Sequence, residues 1–296
     1  MKGFHTLRFR REDSSLGDFE LLVMLLSALK WREKNGKIRL VTDSRGKEFV
    51  KDCGILSAWN DVSTCLDEMD NLGWNENSFW AGAKLFALSS QSAPCVMIDL
   101  DFILWQHIDF SHYGANIATI HREQVNNGIY PGKEHFRFFD GFKLPLSLDW
   151  EVEACNTAFA YFGGQDIIRR YTSFAFDFMT HANTEGEYLT YMVFVEQRWL
   201  AMCAKILGRE IFSFSSLGDL FRGKQQYYTH IWGDKERLRR SKIYREAFCR
   251  KCAIRILRDF PDWGDLLQKT EWAAQYFLKE QENGDKYAGI HKTALP

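Results

Sequence analysis

Pro94-Cys95-Val96-Met97-Ile98-Asp99-Leu100-Asp101 is the stretch on which the fold reading turns. Proline disfavours helix in the residue before it, so whatever precedes ends there. Four apolar residues then read as a short buried strand, and the run stops at two carboxylates two positions apart. Upstream, residues 77–91 read as a helix. Residues 37–42 (KIRLVT) read as a buried strand, and 44–53 as a short helix with Gly54 just past its end. Residues 4–9 alternate like a strand, and 17–34 carry Phe19, Leu22, Val23, Leu26 and Leu29 at helical spacing. Downstream come a strand at 115–120, a loop-rich insertion at 126–148, a strand at 154–162, a Gly163-Gly164 turn, and helices at 165–181 and 187–207. Strands alternating with helices predict an α/β fold, with a mixed, mostly parallel sheet flanked by helices.

Composition narrows the class. Of 296 residues, 46% are hydrophobic and 26% charged, which suits a globular protein and excludes a disordered or low-complexity one. Aromatics reach 15%, enough to fill a core and leave rings for flat ligands. A net charge of −1 gives no general attraction for nucleic acid. The apolar run at 21–29 falls short of the roughly 20 residues that span a bilayer. Arg8, Arg10 and Arg11 stand where an export signal would be apolar, and seven scattered cysteines suit a reducing compartment, so a cytoplasmic location is expected. Cys249 and Cys252 form a lone CxxC with no second pair to complete a zinc site. Residues 235–258 hold ten basic against two acidic residues, and read as one amphipathic helix with an apolar side of Ile243, Ala247, Ile254 and Leu257. The expected organisation is an α/β domain at 1–234, with a C-terminal helical extension at 235–296 docked on it. Peripheral membrane contact through 235–258 is the alternative for that helix.

Ligands of open α/β sheets bind beyond the carboxyl ends of the strands. Asp99 and Asp101 at such an end can share one hard divalent cation, Mn²⁺ or Mg²⁺, with a phosphate; alone, the pair also reads as a solvated turn. His230-Ile231-Trp232-Gly233-Asp234-Lys235 could add an imidazole ligand, a glycine open to phosphate and a point charge. Lys84 could reach into the cleft, or be a solvated helix lysine. Asn156, with Gly163 and Gly164, could line a pocket. Glu196 and Gln197, in an apolar helix, need partners if buried.

In order, Leu40-Val41-Thr42-Asp43 with Gly46, Trp80 and Lys84, Pro94 to Asp101 with Trp105, Asn156 with Gly163-Gly164, Glu196-Gln197 and His230 resemble metal-dependent GT-A glycosyltransferases of the glycogenin and bacterial galactosyltransferase type. They are still more similar to a group of uncharacterised bacterial glycosyltransferase-like proteins. The resemblance spans about residues 25–235. It implies a GT-A (Rossmann-like) fold and hexosyl transfer from a nucleotide-diphosphate sugar, a UDP-sugar favoured, to a glycan, lipid-linked or protein acceptor. It further implies that Asp99, Asp101 and His230 hold Mn²⁺ or Mg²⁺, and that Gly233 and Lys235 contact the diphosphate. Thr42, Asp43 and Leu100 would lie near base and ribose. Trp80 and Lys84 would stand on the donor side, with Lys84 touching phosphate or sugar. Gly163 and Gly164 would line the nucleotide and donor, while Asn156, Glu196 and Gln197 would face the donor sugar and acceptor and, with Lys84, be the catalytic residues. Two other readings stay open: a non-catalytic nucleotide-sugar binder, and a haloacid-dehalogenase-type phosphatase using Asp99-Leu100-Asp101.

Overall fold

The apolar runs found in the sequence pair side by side. The computed structural model describes residues 1–9, 15–126, 128–222, 227–231 and 233–277. Its first half runs β1 (Lys2–Leu7), α1 (Asp18–Lys34), β2 (Lys37–Thr42), α2 (Ser44–Asp52), β3 (Asp61–Ser63), α3 (Gly82–Ser89), β4 (Cys95–Ile98), β5 (Phe102–Leu104), β6 (Ile117–Thr119) and β7 (Arg122–Glu123). The second half runs β8 (Ala154–Cys155), β9 (Phe159–Phe162), α4 (Gln165–His181), α5 (Thr190–Val193), α6 (Trp199–Ile206), β10 (Ile211–Ser213), α7 (Leu217–Phe221), β11 (Tyr228–His230), α8 (Lys235–Arg240), α9 (Lys242–Asp259), α10 (Pro261–Leu267) and α11 (Ala274–Phe277).

Seven strands form one mixed sheet in the order β10-β6-β9-β4-β1-β2-β3. Within it β9 runs antiparallel to both β4 and β6, and the other pairs are parallel. The expected α/β class, with a mostly parallel sheet flanked by helices, is what the chain adopts. Each face is covered by its own apolar cluster. One holds α1 and the C-terminal helices, the other α3, α4 and α6. Such double burial is why the central strands read as unbroken apolar runs. Among the described residues no helix is long and apolar enough to cross a membrane.

Several expectations are corrected. Residues 154–162 are not one strand: Asn156 Oδ1 accepts from the Ala158 amide at 3.2 Å, and this local bond interrupts the ladder between β8 and β9. The helix expected at 77–91 begins only at Gly82, because Asn75 and Ser78 satisfy the preceding backbone as turns. The helix expected at 187–207 starts at Thr190 and carries a π-turn, Phe194–Arg198, between α5 and α6. Helix α1 is buried nearly all round, from Phe19 to Trp31, rather than on one stripe, since it lies between the sheet side and α9. Its buried Lys30 is matched by Asp259 at 2.6 Å and Glu33 at 2.8 Å.

The basic stretch is two helices. Ser241 ends α8, and its hydroxyl accepts from the Tyr244 amide to cap α9. Helix α9 docks on α1, but by a different face from the one expected: Tyr244, Phe248, Cys252 and Ile256 are buried, while Ile243 is 68% and Ile254 63% exposed. The remainder of the expected extension, 278–296, lies outside the described residues, as do residues 10–14 and Trp232.

Candidate active site

Strand β4 delivers its two carboxylates to the carboxyl edge of the sheet. The Asp99 amide still donates to Ala158 C=O at 2.7 Å, and the Phe102 amide to Asp99 C=O at 3.0 Å, so the Asp99-Leu100-Asp101 turn is pinned at both ends. The chain then runs directly into β5, which pairs antiparallel with β11 and sets His230 opposite Phe102. That two-stranded unit brings His230 to the turn. Ligand atoms of Asp99, Asp101 and His230 lie within 4.8 Å of one another. Asp101 Oδ2 is shielded from solvent and compensated by charge, with Lys235 Nζ at 2.9 Å and His230 Nε2 at 3.5 Å. Burial alone would raise the Asp101 carboxyl, but His230 and Lys235 hold it below its ordinary value. Burial lowers His230, favouring the neutral ring that can ligate a cation. Two carboxylates and an imidazole at this spacing fit a hard divalent ion such as Mn²⁺ or Mg²⁺.

Lys84, from α3, is no solvated lysine. Its Nζ lies 2.7 Å from Asp99 Oδ1 and 2.5 Å from Glu196 Oε1. Burial would lower this amine, yet the facing charges of Asp99 and Glu196 raise it above its usual value. Glu196 is 2% exposed and also accepts from the Thr157 hydroxyl at 2.9 Å. It sits, with Gln197, on the π-turn, a distortion that often marks functional sites. Arg198, on the same turn, is buried and donates to the Tyr130, Pro131 and Trp150 carbonyls, tying those residues to the helix.

These groups line one cleft of about 630 Å³. Sheet order lays it out. Thr6, Leu7 and Arg8 stand at the β1 end, Asp99 and Asp101 in the middle, and Asn156 to Ala158 beyond them. Trp80, Lys84, Leu100, Glu196, Gln197, His230 and Lys235 line it too. Arg8, Glu76, Glu123 and Tyr130 are among the polar lining residues that the sequence reading did not single out as site residues. Arg8 grips Glu76, with its Nη2 2.6 Å from Glu76 Oε1, and Tyr130 donates to Glu123 at 2.9 Å. Tertiary contacts rather than local pattern bring them in.

Other expected residues lie elsewhere. Thr42 is fully buried. Asp43 is spent on structure, accepting from the Gly46 amide at 2.7 Å as the α2 cap and from the Phe9 amide at 2.9 Å. Gly163 and Gly164 follow the far end of β9. Because β9 is antiparallel to β4, Phe162 pairs with Cys95 and Phe159 with Ile98, which puts the glycines at the opposite edge from Asp99. Gly163 is required there by packing, since a Cβ would meet Gly114 O at 1.9 Å. Gly233 is not among the cleft-lining residues; a Cβ on it would meet nothing within 4 Å.

Fold and site thus define an α/β protein with a carboxylate–imidazole cluster and two lysines at the carboxyl edge of a mixed sheet. Solved structures similar in fold include mouse xyloside xylosyltransferase 1 in its apo form, at 10% identity, TM-score 0.41, over 73% of this chain and 86% of that one. The PaToxG glycosyltransferase is similar at 12% identity, TM-score 0.37, over 70% and 69%. The galactosyltransferase LgtC in complex with donor and acceptor sugar analogues is similar at 10% identity, TM-score 0.33, over 67% and 71%. No curated protein sequence matches the chain. The chain belongs to the family of unknown function DUF6734, whose profile matches residues 15–244.

Proposed function

We propose that this protein is a GT-A-type transferase that moves a hexosyl group from a nucleotide-diphosphate sugar, a UDP-sugar favoured, to a glycan, lipid-linked or protein acceptor. The observation that carries the reading is the convergence of Asp99, Asp101 and His230 with Lys84 and Lys235 in one cleft. Mn²⁺ or Mg²⁺ held by the first three would neutralise the charge that grows on a departing diphosphate. The chain's own residues do the rest. Lys235, half exposed at the start of α8, exchanges Asp101 for a phosphate oxygen. Lys84 stays pinned between Asp99 and Glu196 and presents its charge where sugar joins phosphate. Glu196 faces the sugar being transferred, with Asn156 beside it. The anomeric carbon–phosphate oxygen bond breaks, and a bond forms to an acceptor oxygen whose proton passes to the departing diphosphate.

A second reading, a nucleotide-sugar binder without catalysis, draws on the same ion pairs, because the two lysines already neutralise both aspartates. The phosphatase reading has less support, since Phe102–Leu104 continue at once as a buried strand. Thermal shift with UDP- and GDP-sugars, with and without Mn²⁺, tests all three. Ligands that bind only the folded state raise its apparent stability. A transferase shifts with nucleotide and metal together and slowly hydrolyses the donor. A binder shifts without hydrolysis. A shift with phosphate mimics alone, or none with any nucleotide, overturns the proposal.

A further inference from the structure

Beyond Asn156 the cleft holds a polar cluster that neither metal nor diphosphate uses. Glu123 Oε1 faces His121 Nε2 at 3.1 Å and Asn156 Nδ2 at 3.3 Å, and Glu123 Oε2 accepts from the Tyr130 hydroxyl at 2.9 Å. The His121 hydrogen bond first, then those of Tyr130 and Asn156, outweigh burial and keep this carboxylate below its ordinary value. Glu123 is therefore ionised and accepts the one proton Tyr130 has. Tyr130 Oη also lies 2.6 Å from Gln197 Oε1. Two oxygens at that distance need a proton between them, and none remains. The contact is satisfied when Gln197 turns its amide nitrogen to Tyr130, an exchange of two atoms of equal shape. The carbonyl oxygen is then the group Gln197 offers to the cleft.

The groups left for a ligand here include two acceptors, beside one remaining N–H each on Asn156 Nδ2 and Gln197 Nε2. A carboxylate has about four lone-pair positions, of which three are used at Glu123, and Gln197 adds its carbonyl. A ligand that meets the Glu123 carboxylate and the Gln197 carbonyl brings hydrogen-bond donors and no negative charge, and groups such as hydroxyls can also accept from the two amide N–H groups. Beside these acceptors the rim is apolar and open: Trp80 and Leu189 are each 45% exposed. The Trp80 ring is held by its own indole N–H, which donates to Tyr188 C=O at 3.0 Å. A fixed aromatic face in the same cleft as two acceptors suits the C–H face and neighbouring hydroxyls of a pyranose.

We infer that Glu123, Tyr130 and Gln197, with Trp80 and Leu189 at the rim, form the acceptor subsite, and that the acceptor presents a neutral sugar ring through two adjacent hydroxyls. The inference rests on the glycosyl-transfer reading. It assigns these residues to the acceptor because the cluster lies on the far side of Asp99 from the β1 end of the cleft, and because its rim leaves room for a longer chain to extend into solvent.

Saturation-transfer NMR tests it with neutral methyl pyranosides, in the presence of Mn²⁺ and the nucleoside diphosphate, UDP or GDP, that binds by thermal shift. At least one pyranoside should receive saturation from the wild type. Glu123→Gln and Trp80→Ala should each weaken that binding at least tenfold, and Tyr130→Phe several-fold. Affinity for the nucleoside diphosphate with Mn²⁺ should change less than twofold. Pyranoside binding unchanged in the variants overturns the inference. So does no pyranoside binding while the diphosphate binds. A selective loss of nucleotide-sugar over nucleotide affinity also overturns it, since the cluster would then hold the donor's sugar. If neither UDP nor GDP binds with Mn²⁺, the glycosyl-transfer reading itself falls, and this inference with it.

Discussion

Lys84 Nζ lies 2.5 Å from Glu196 Oε1, joining α3 to the π-turn across 112 residues of sequence. Glu196 is buried, so the pair fixes the geometry of the cleft floor as well as its charge.

Removing one partner should be costly. Lys84→Met leaves Glu196 buried and short of its cation, and breaking such a pair costs about 3 kcal/mol. The double variant Lys84→Met with Glu196→Gln should recover most of that loss, because the one carboxylate then left without Lys84 is Asp99, which reaches solvent. Urea denaturation of wild type, both single variants and the double variant measures the coupling. A double variant no more stable than Lys84→Met would contradict this account.

Asp101→Asn removes a ligand charge from the cluster but keeps its shape. Binding of UDP in the presence of Mn²⁺, followed by calorimetry, should weaken at least tenfold, while the far-ultraviolet circular dichroism stays that of the wild type. Adding EDTA to the wild type should have the same effect on affinity. Equal affinity with and without the ion would remove the metal from the site.

His5 sets a pH dependence. It is fully buried, with Trp59 Nε1 donating to its Nδ1 at 3.2 Å and Ser27 Oγ 3.0 Å from its Nε2. Burial lowers its pKa from 6.5 to about 3. The unfolded chain therefore takes up the proton first. This contribution is flat above pH 6.5 and destabilises progressively as pH falls towards 3, by about 1.4 kcal/mol per pH unit. Unfolding free energies between pH 7 and 5 should fall by roughly one proton's slope more in wild type than in His5→Gln. Parallel curves would refute the assignment.

Gly163 separates packing from binding. A Cβ there meets backbone atoms that cannot step aside, so Gly163→Ala should destabilise by about 2–3 kcal/mol. It lies at the opposite sheet edge from Asp99, so affinity for UDP with Mn²⁺ should be unchanged in the folded fraction. A selective loss of affinity would restore Gly163 to the donor site.

On α9, Phe248→Ala should cost about 3–4 kcal/mol, while Ile243→Ser should fall within about 0.5 kcal/mol. Much of the basic charge is matched within the fold: Arg239 by Glu20 at 2.8 Å, Arg245 by Asp18 at 3.5 Å and Arg255 by Asp259 at 2.5 Å. Co-sedimentation with anionic vesicles should accordingly be weak. Strong, salt-sensitive binding lost on Arg239→Glu with Arg240→Glu would make the outer face of α9 a membrane contact.

The sequence by itself determined the strands and helices whose apolar pattern is long or closed by a sharp signal. Examples are β2, β4 and α4, and with β4 came the Asp99-Leu100-Asp101 turn, because periodicity and a halting proline are local properties. His230, Lys235, Lys84 and Glu196 were legible as residues of the right chemistry in the right order. Tertiary structure decided that they converge. It placed α1 under two layers, turned α9 so that Ile243 and Ile254 face out while Ala247 stays buried, and bent the helix at Glu196 into a π-turn. It also moved Gly163 and Gly164 to the far edge and recruited Arg8, Glu123 and Tyr130. The physical reason is direction. Whether a strand's end falls at the site or away from it depends on which way it runs beside its neighbour, and for β9 that is set by pairing with β4, more than sixty residues before it, rather than by anything in its own four residues.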